Sequence, residues 1–130
     1  MEVKFAFLCD FAEESGGKVH ALGVGVDQIL TPVVPATHPH LSAVVAFAYE
    51  GSETGTKDLT VRIIDADGRG IIPPIDGELT LGDPGGAVGH GRVLFQLAGV
   101  QFQRYGDYAV EVAIAGVTVA SLPLRVISPP

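Results

Sequence analysis

Alternation of apolar and polar residues with a period of two is the sequence feature that most limits the fold of this chain. Leu59, Val61 and Ile63 alternate with Thr60 and Arg62. Successive side chains of a β-strand point to opposite faces of a sheet, so this pattern predicts a strand with one buried face. No segment shows a convincing helical spacing of apolar residues. We therefore predict an all-β protein.

The same spacing recurs at both ends of the chain. Near the start, one set of alternate residues is apolar throughout: Val3, Phe5, Phe7, Cys9 and Phe11. Near the end, a second set has the same property: Tyr108, Val110, Val112 and Ile114. We predict that each set forms the buried face of a strand. Cys9 is then a small buried hydrophobic residue, and such burial raises the pKa of a thiol.

Glycine and proline separate these segments. The chain has 17 glycines and 9 prolines among 130 residues. The sequences of residues 15–18 and 65–68 predict tight turns. Residues 31–40 contain three prolines and predict an extended crossover between sheets. Residues 41–50 are apolar on both faces, as expected of a central strand.

This pattern predicts about eight strands. The predicted fold is a single antiparallel β-sandwich of seven to nine strands, with residues 1–130 as one domain. Gly106, Tyr108 and Val110 have the spacing of a tyrosine corner, in which the phenol bonds to backbone upstream, and this favours an immunoglobulin-like arrangement. The alternative is that Tyr108 is an ordinary aromatic residue at the edge of the core.

Charge and cysteine content limit the partners and the compartment. Eight Lys and Arg against fifteen Asp and Glu give a net charge of −7, and without a basic run a nucleic acid is not an expected partner. The long uncharged segment 28–49 contains three prolines, so it does not predict a membrane-spanning helix. The single cysteine excludes an internal disulfide, and the first residues lack the pattern of a signal peptide. A cytoplasmic location is the expectation.

Three histidines are candidate metal ligands. His38 and His40 form an H-x-H pair, and His90 lies in a glycine-rich segment predicted to be a loop; three imidazoles brought together can bind zinc. Pro39 separates the pair, and no cysteine pair accompanies it. The alternative is that all three are solvated side chains, and no cofactor is predicted.

Two aspartates resemble the start of a calcium loop. Asp65 and Asp67 precede Gly68, and carboxylates at alternate positions supply the hard oxygen ligands that calcium prefers. Some β-sandwiches collect such ligands from several loops, and the further candidates are Asp27, Asp76 and Asp83. The alternative is a simple turn between two strands.

The sequence contains no catalytic arrangement of Ser, His and Asp, and no phosphate-binding loop with its lysine. Phe102, Arg104 and Tyr105 are candidate interface residues, because aromatic residues and arginine are enriched at binding hot spots. The alternative is that these residues only fill the ends of the sandwich. We expect a non-enzymatic module for protein interaction or self-assembly, either with a protein partner or as a homo-oligomer. A sandwich that binds calcium or a small ligand through loop carboxylates is the alternative.

Several short segments resemble a family of short bacterial proteins that is known only as a domain of unknown function. The segments are Phe7-Leu8-Cys9-Asp10-Phe11-Ala12, Ala21-Leu22-Gly23, Pro35-Ala36-Thr37-His38-Pro39-His40, Asp65-Ala66-Asp67-Gly68, Tyr105-Gly106-Asp107-Tyr108 and Leu122-Pro123-Leu124. The resemblance covers nearly the whole chain. It implies no activity, cofactor or catalytic residue, since none is established for such a family.

Overall fold

The computed structural model describes residues 1–130 and confirms the all-β prediction. Ten strands are present: β1 (Glu2–Cys9), β2 (Phe11–Ser15), β3 (Lys18–Leu22), β4 (Gln28–Leu30), β5 (Ala36–Tyr49), β6 (Gly55–Asp65), β7 (Ile75–Leu81), β8 (Gly89–Phe102), β9 (Gly106–Ile114) and β10 (Val117–Ile127). A single turn of 3₁₀ helix, Gly51–Glu53, is the only helical segment.

The strands form three sheets. The first has the order β1-β5-β8, the second β4-β10-β9-β6-β7, and the third is the hairpin β2-β3. The main core contains residues of both larger sheets, which therefore pack against each other. β4 pairs with β10 in parallel, so the prediction of a wholly antiparallel fold is wrong at this pair. No hairpin turn joins β4 to β10, so no turn sets their relative direction.

β6 and β9 confirm the alternation from which the fold class was predicted. Val61 and Ile63 in β6 are fully buried, as are Val110 and Val112 in β9. The antiparallel register places Val61 opposite Val112 and Ile63 opposite Val110. Directly opposed residues point to the same face of a sheet, so these pairs meet in the main core.

β5 is the central strand of the first sheet, as predicted, but it is longer than the sequence indicated. All residues from 41 to 49 are buried. The strand begins at Ala36, so the prediction of a crossover over residues 31–40 is wrong for its second half. Pro39 cannot donate to a ladder, yet the register with β8 is the same on both sides of it. Gly99, at the matching position of β8, takes a left-handed φ of 65°.

The hairpin β2-β3 covers the outer face of the first sheet. Its turn contains Gly16 and Gly17 with φ values of 61° and 73°, which glycine adopts at little cost, and this confirms the predicted turn. Ala12 on the inner side packs with Cys9 and Val44 in a small cluster that is separate from the main core. We call these three residues the hairpin cluster.

The predicted core face of β1 is partly wrong. Cys9 is fully buried, but Phe5 and Phe11 remain 45% and 47% exposed, and Leu8 points into the main core instead. The register shifts between Val3 and Phe5, and Phe11 belongs to the next strand. No shift lies between Phe5 and Cys9, so both share the outer face of the first sheet. The hairpin cluster buries Cys9 on this face but leaves Phe5 exposed.

Candidate functional site

β8 is the longest strand that has an open edge. On one side it pairs with β5 along its length. On the other side no strand is hydrogen-bonded to it, and no backbone hydrogen bond from a loop reaches it. Half of its backbone N–H and C=O groups are therefore free to pair with a further strand.

Side-chain packing holds this open strand in place. Val93 and Leu97 are buried in the main core. Gly91 lies directly against the Phe47 ring of β5, where an added Cβ would lie 2.4 Å from Phe47 Cζ, and Gly89 lies in the same way against the Tyr49 ring. The edge is therefore ordered before any partner arrives, which lowers the entropy cost of binding.

The other edges of the two larger sheets are protected. β4 has only three residues, and β7 carries Asp76 and Glu78 among its seven residues. β1 lies against β10 and has a register shift between Val3 and Phe5. β8 has no charged residue from Val93 to Phe102. Short strands, charges and bulges are the usual protections of a sheet edge, and this part of β8 has none of them before Gly99.

A groove lies beside β8, between the hairpin and the outer face of the first sheet. Its volume is about 600 Å³, and its lining consists of Asp10, Phe11, His38, Pro39, His40, Gln96 and Ala98. Phe11 provides an exposed aromatic wall. A strand added beside β8 projects alternate side chains toward this face, so the groove is placed to contact them.

Gln96 connects β8 to the hairpin. Ser42 Oγ donates to Gln96 Oε1 at 2.7 Å, and Gln96 Nε2 donates to the carbonyl oxygen of Ala12 at 2.7 Å. Ser42 is fully buried, so this amide satisfies a polar group that has no access to water. The hairpin is thus fixed over the first sheet by hydrogen bonds as well as by apolar contact.

The three candidate histidines do not meet. His38 and His40 lie on β5, not on a loop, whereas His90 lies on β8 opposite Ala48. His38 and Ala48 are ten residues apart on β5, which corresponds to about 33 Å along an extended strand. His90, opposite Ala48, is therefore far from His38. His38 Nε2 is buried without a hydrogen-bond partner. No group of three or more His, Cys, Asp or Glu side chains is arranged to hold a metal ion.

Three of the five candidate aspartates accept local hydrogen bonds through their carboxylates. Asp65 and Asp67 line one cavity with Asp107, but Asp65 Oδ1 accepts the backbone N–H groups of Asp67 and Arg69 at 2.9 and 3.0 Å. Asp107 pairs with Arg125 Nε at 2.9 Å. The Asp76 carboxylate accepts a hydrogen bond from the Thr60 hydroxyl, and the Asp83 carboxylate accepts one from the Gly85 backbone N–H. Asp27 lines a neighbouring cavity together with Asp107.

The predicted interface residues have different positions. Phe102 is fully buried, with its ring edge-on to Tyr108 at a centroid distance of 4.9 Å, so it offers no exposed surface. Arg104 is exposed, and its carbonyl oxygen accepts the Tyr108 hydroxyl at 2.8 Å. This is the backbone contact that the tyrosine corner predicted. Tyr105 is partly exposed and donates to the Thr31 carbonyl at 3.0 Å.

Cys9 has the environment that the sequence predicted. The side chain is fully buried in the hairpin cluster, and this burial raises the pKa of the Cys9 thiol. A neutral, inaccessible thiol is a poor nucleophile.

Residues 4–127 match a family of unknown function, DUF6941. The chain belongs to this family. No curated protein matches the sequence. The part of the chain that matches the family includes all of β8, the hairpin and the groove. None of the helical structure is long and apolar enough to cross a membrane.

Sequence reasoning missed the open edge of β8. The signal was present in part, because the run from Val93 to Phe102 contains no charged residue. Such a run predicts a strand but does not indicate how many neighbours the strand has. That number depends on the order of strands in the sheet.

Proposed function

We propose that this protein is a non-enzymatic interaction module that binds an extended protein segment by adding it as a strand to the open edge of β8. The observation that carries this proposal is the fourteen-residue length of β8 with hydrogen bonds on one side only. A strand added there gains backbone hydrogen bonds along its length.

The chemistry of the edge supports an apolar, extended occupant. The uncharged run of β8 offers no ionic partner, while Phe11, Pro39 and Ala98 give the groove apolar walls. Backbone pairing supplies affinity, and contacts of alternate side chains with such a groove supply selectivity. The occupant is thus an extended segment in which apolar residues recur at alternate positions.

A displayed library of random peptides tests this proposal. We expect selection on the wild-type protein to enrich peptides with alternating apolar residues. Ala98→Lys places a charge beside the edge and should weaken their binding about tenfold, because an inserted lysine is a common protection of edge strands. The matched control, Thr80→Lys on β7, should bind the same peptides as the wild type does. Failure to enrich such peptides, or equal binding by both variants, contradicts the proposal.

Two finer expectations accompany this function. We propose an immunoglobulin-like arrangement of the two larger sheets, supported by the bond from Tyr108 to the Arg104 carbonyl, which is a hallmark of that class. We also propose a cytoplasmic location, supported by the single, unpaired Cys9.

A further inference from the structure

The distribution of charge indicates where two copies of this chain can meet. The chain carries a net charge of −7, so two copies repel each other over most approaches. β8 contains no acidic residue. Arg92, which directly precedes the uncharged run, has its Nη1 atom 3.7 Å from Oε1 of Glu14 in the hairpin. Two copies of β8 can therefore pair as neighbouring strands without opposing two carboxylates in the ladder, because the carboxylates close to this edge, Glu14 and Asp10, lie on or next to the hairpin and not on β8.

We infer that the strand added to β8 is β8 of a second copy, in an antiparallel two-fold dimer that joins the two first sheets into one sheet of six strands. This inference rests on the proposed function, since it names the occupant of the same edge. Antiparallel self-pairing suits a two-fold axis, because both copies contribute the same surface. It also covers an apolar edge that would otherwise favour aggregation.

The alternation of side chains determines the register of this pairing. Val93 and Leu97 point into the main core, whereas Leu94 packs against the hairpin cluster. Opposed residues of an antiparallel pair lie on the same face. A residue of one copy must therefore oppose a residue of the same face in the second copy. One residue therefore lies opposite its own copy, and the two-fold axis passes midway between these two copies of the residue.

The backbone selects which residue lies opposite its own copy. β8 pairs with β5 without a register shift along its length. Residues 92–98 are its longest stretch without glycine, bounded by Gly91 and by Gly99 with its left-handed φ of 65°. The centre of this glycine-free segment is Phe95. In that register Arg92 of each copy lies opposite Ala98 of the other copy, and this pair occurs twice in the dimer.

Charge substitutions at Ala98 test both the dimer and its register. Ala98→Glu places a carboxylate opposite Arg92 of the second copy, while Ala98→Lys places a second cation there. We expect the dimer dissociation constant of Ala98→Lys to exceed that of Ala98→Glu by about tenfold or more, because each pair occurs twice. Repulsion by net charge alone predicts the opposite order, since Ala98→Lys makes the chain less negative. Sedimentation equilibrium over a range of concentrations measures both constants.

A distance measurement gives an independent test of the register. A nitroxide on Ala98→Cys should report a pair of labels whose Cα atoms are about 20 Å apart, since six residues of extended strand separate Ala98 from its symmetry mate along the sheet. Cys9 is fully buried and should remain unlabelled. Thermal unfolding of each variant confirms that Ala98, which is exposed, tolerates the change.

The results separate this inference from the proposed function. A wild-type protein that remains monomeric at its highest soluble concentration overturns the inference, and so does tighter association of Ala98→Lys than of Ala98→Glu. If library peptides still bind and lose affinity in Ala98→Lys, the strand-accepting function stands and only the self-pairing fails. If no peptide binds and the wild type dimerises in the stated register, the edge is specific for its own copy.

Discussion

β7 and β8 are both edge strands, and they differ in four physical respects. β7 has seven residues, two of them acidic, and a Cβ added at its glycine, Gly77, would have nothing within 4 Å. β8 has fourteen residues, an uncharged run of ten, and glycines pressed against aromatic rings. The hairpin also covers the outer face of the sheet of β8, and no such hairpin covers the sheet of β7.

The difference shows that an edge can be open in its backbone while its side chains are fixed. β7 combines an exposed backbone edge with exposed charged side chains, which discourage pairing. β8 combines an exposed backbone edge with side chains that lie in the main core or pack against the hairpin cluster. A rigid, uncharged edge is suited to accept a strand, because β8 loses little conformational entropy when the strand binds.

The largest expected effect is the loss of stability when a glycine of each edge strand is replaced by alanine. Gly91→Ala should lower the free energy of unfolding by about 3 kcal/mol, because the added methyl group overlaps the fully buried Phe47 ring. The control Gly77→Ala, where nothing lies within 4 Å, should change it by less than about 1 kcal/mol. Urea unfolding of both variants measures the difference. Equal losses in the two variants would mean that β8 is packed no more tightly than β7.

The second prediction concerns the attachment of the hairpin to β8. Gln96→Ala should lower the free energy of unfolding by about 2 kcal/mol, since it leaves the buried Ser42 hydroxyl without its acceptor. Thr80→Ala on β7 removes an exposed hydrogen bond to Thr56 and should cost less than about 0.5 kcal/mol. Chemical denaturation again provides the measurement. A neutral Gln96→Ala would show that apolar contact alone holds the hairpin.

The smallest expected effect is a pH dependence under the hairpin. Burial raises the pKa of the Cys9 thiol above its ordinary value of 9.0, so the unfolded chain loses this proton at lower pH than the folded chain does. The contribution to stability is complete below the unfolded pKa and is lost as the pH rises through the folded pKa, at up to about 1.4 kcal/mol per pH unit.

The variant Cys9→Ala isolates this contribution from the other groups that titrate in base. We expect the difference in unfolding free energy between wild type and variant to be constant below about pH 8 and to shrink above pH 9 or so. Parallel stability curves for the two proteins across this range would contradict the prediction.

Local patterns predicted the parts of the fold in which neighbouring residues suffice. The alternation at Val61 and Ile63 predicted a buried strand face, Gly16 and Gly17 predicted a hairpin turn, and the spacing around Tyr108 predicted its bond to upstream backbone. Each of these depends on backbone geometry within one strand or one turn, so a single stretch of sequence contains the information.

Placement of other residues depended on distant partners. Phe5 was predicted to be buried, but it lies on the outer face of the first sheet, where the hairpin buries Cys9 and leaves Phe5 exposed. Phe102 was a candidate interface residue, but it is fully buried and lies opposite Ala36 at the far end of β5. His38 and His40 were assigned to a crossover because residues 31–40 contain three prolines, but the pairing with β8, about sixty residues away in sequence, extends past Pro39.

The sequence by itself determined that this chain forms strands, where most of its turns lie, and that Cys9 is buried, because these properties follow from the period of two and from the φ preferences of glycine and proline. Only the tertiary structure decided the order of the strands and thus which strand has a single neighbour. The uncharged residues 93–102 would be equally compatible with a strand in the middle of a sheet. Its open backbone edge exists because no other strand of this chain pairs with it.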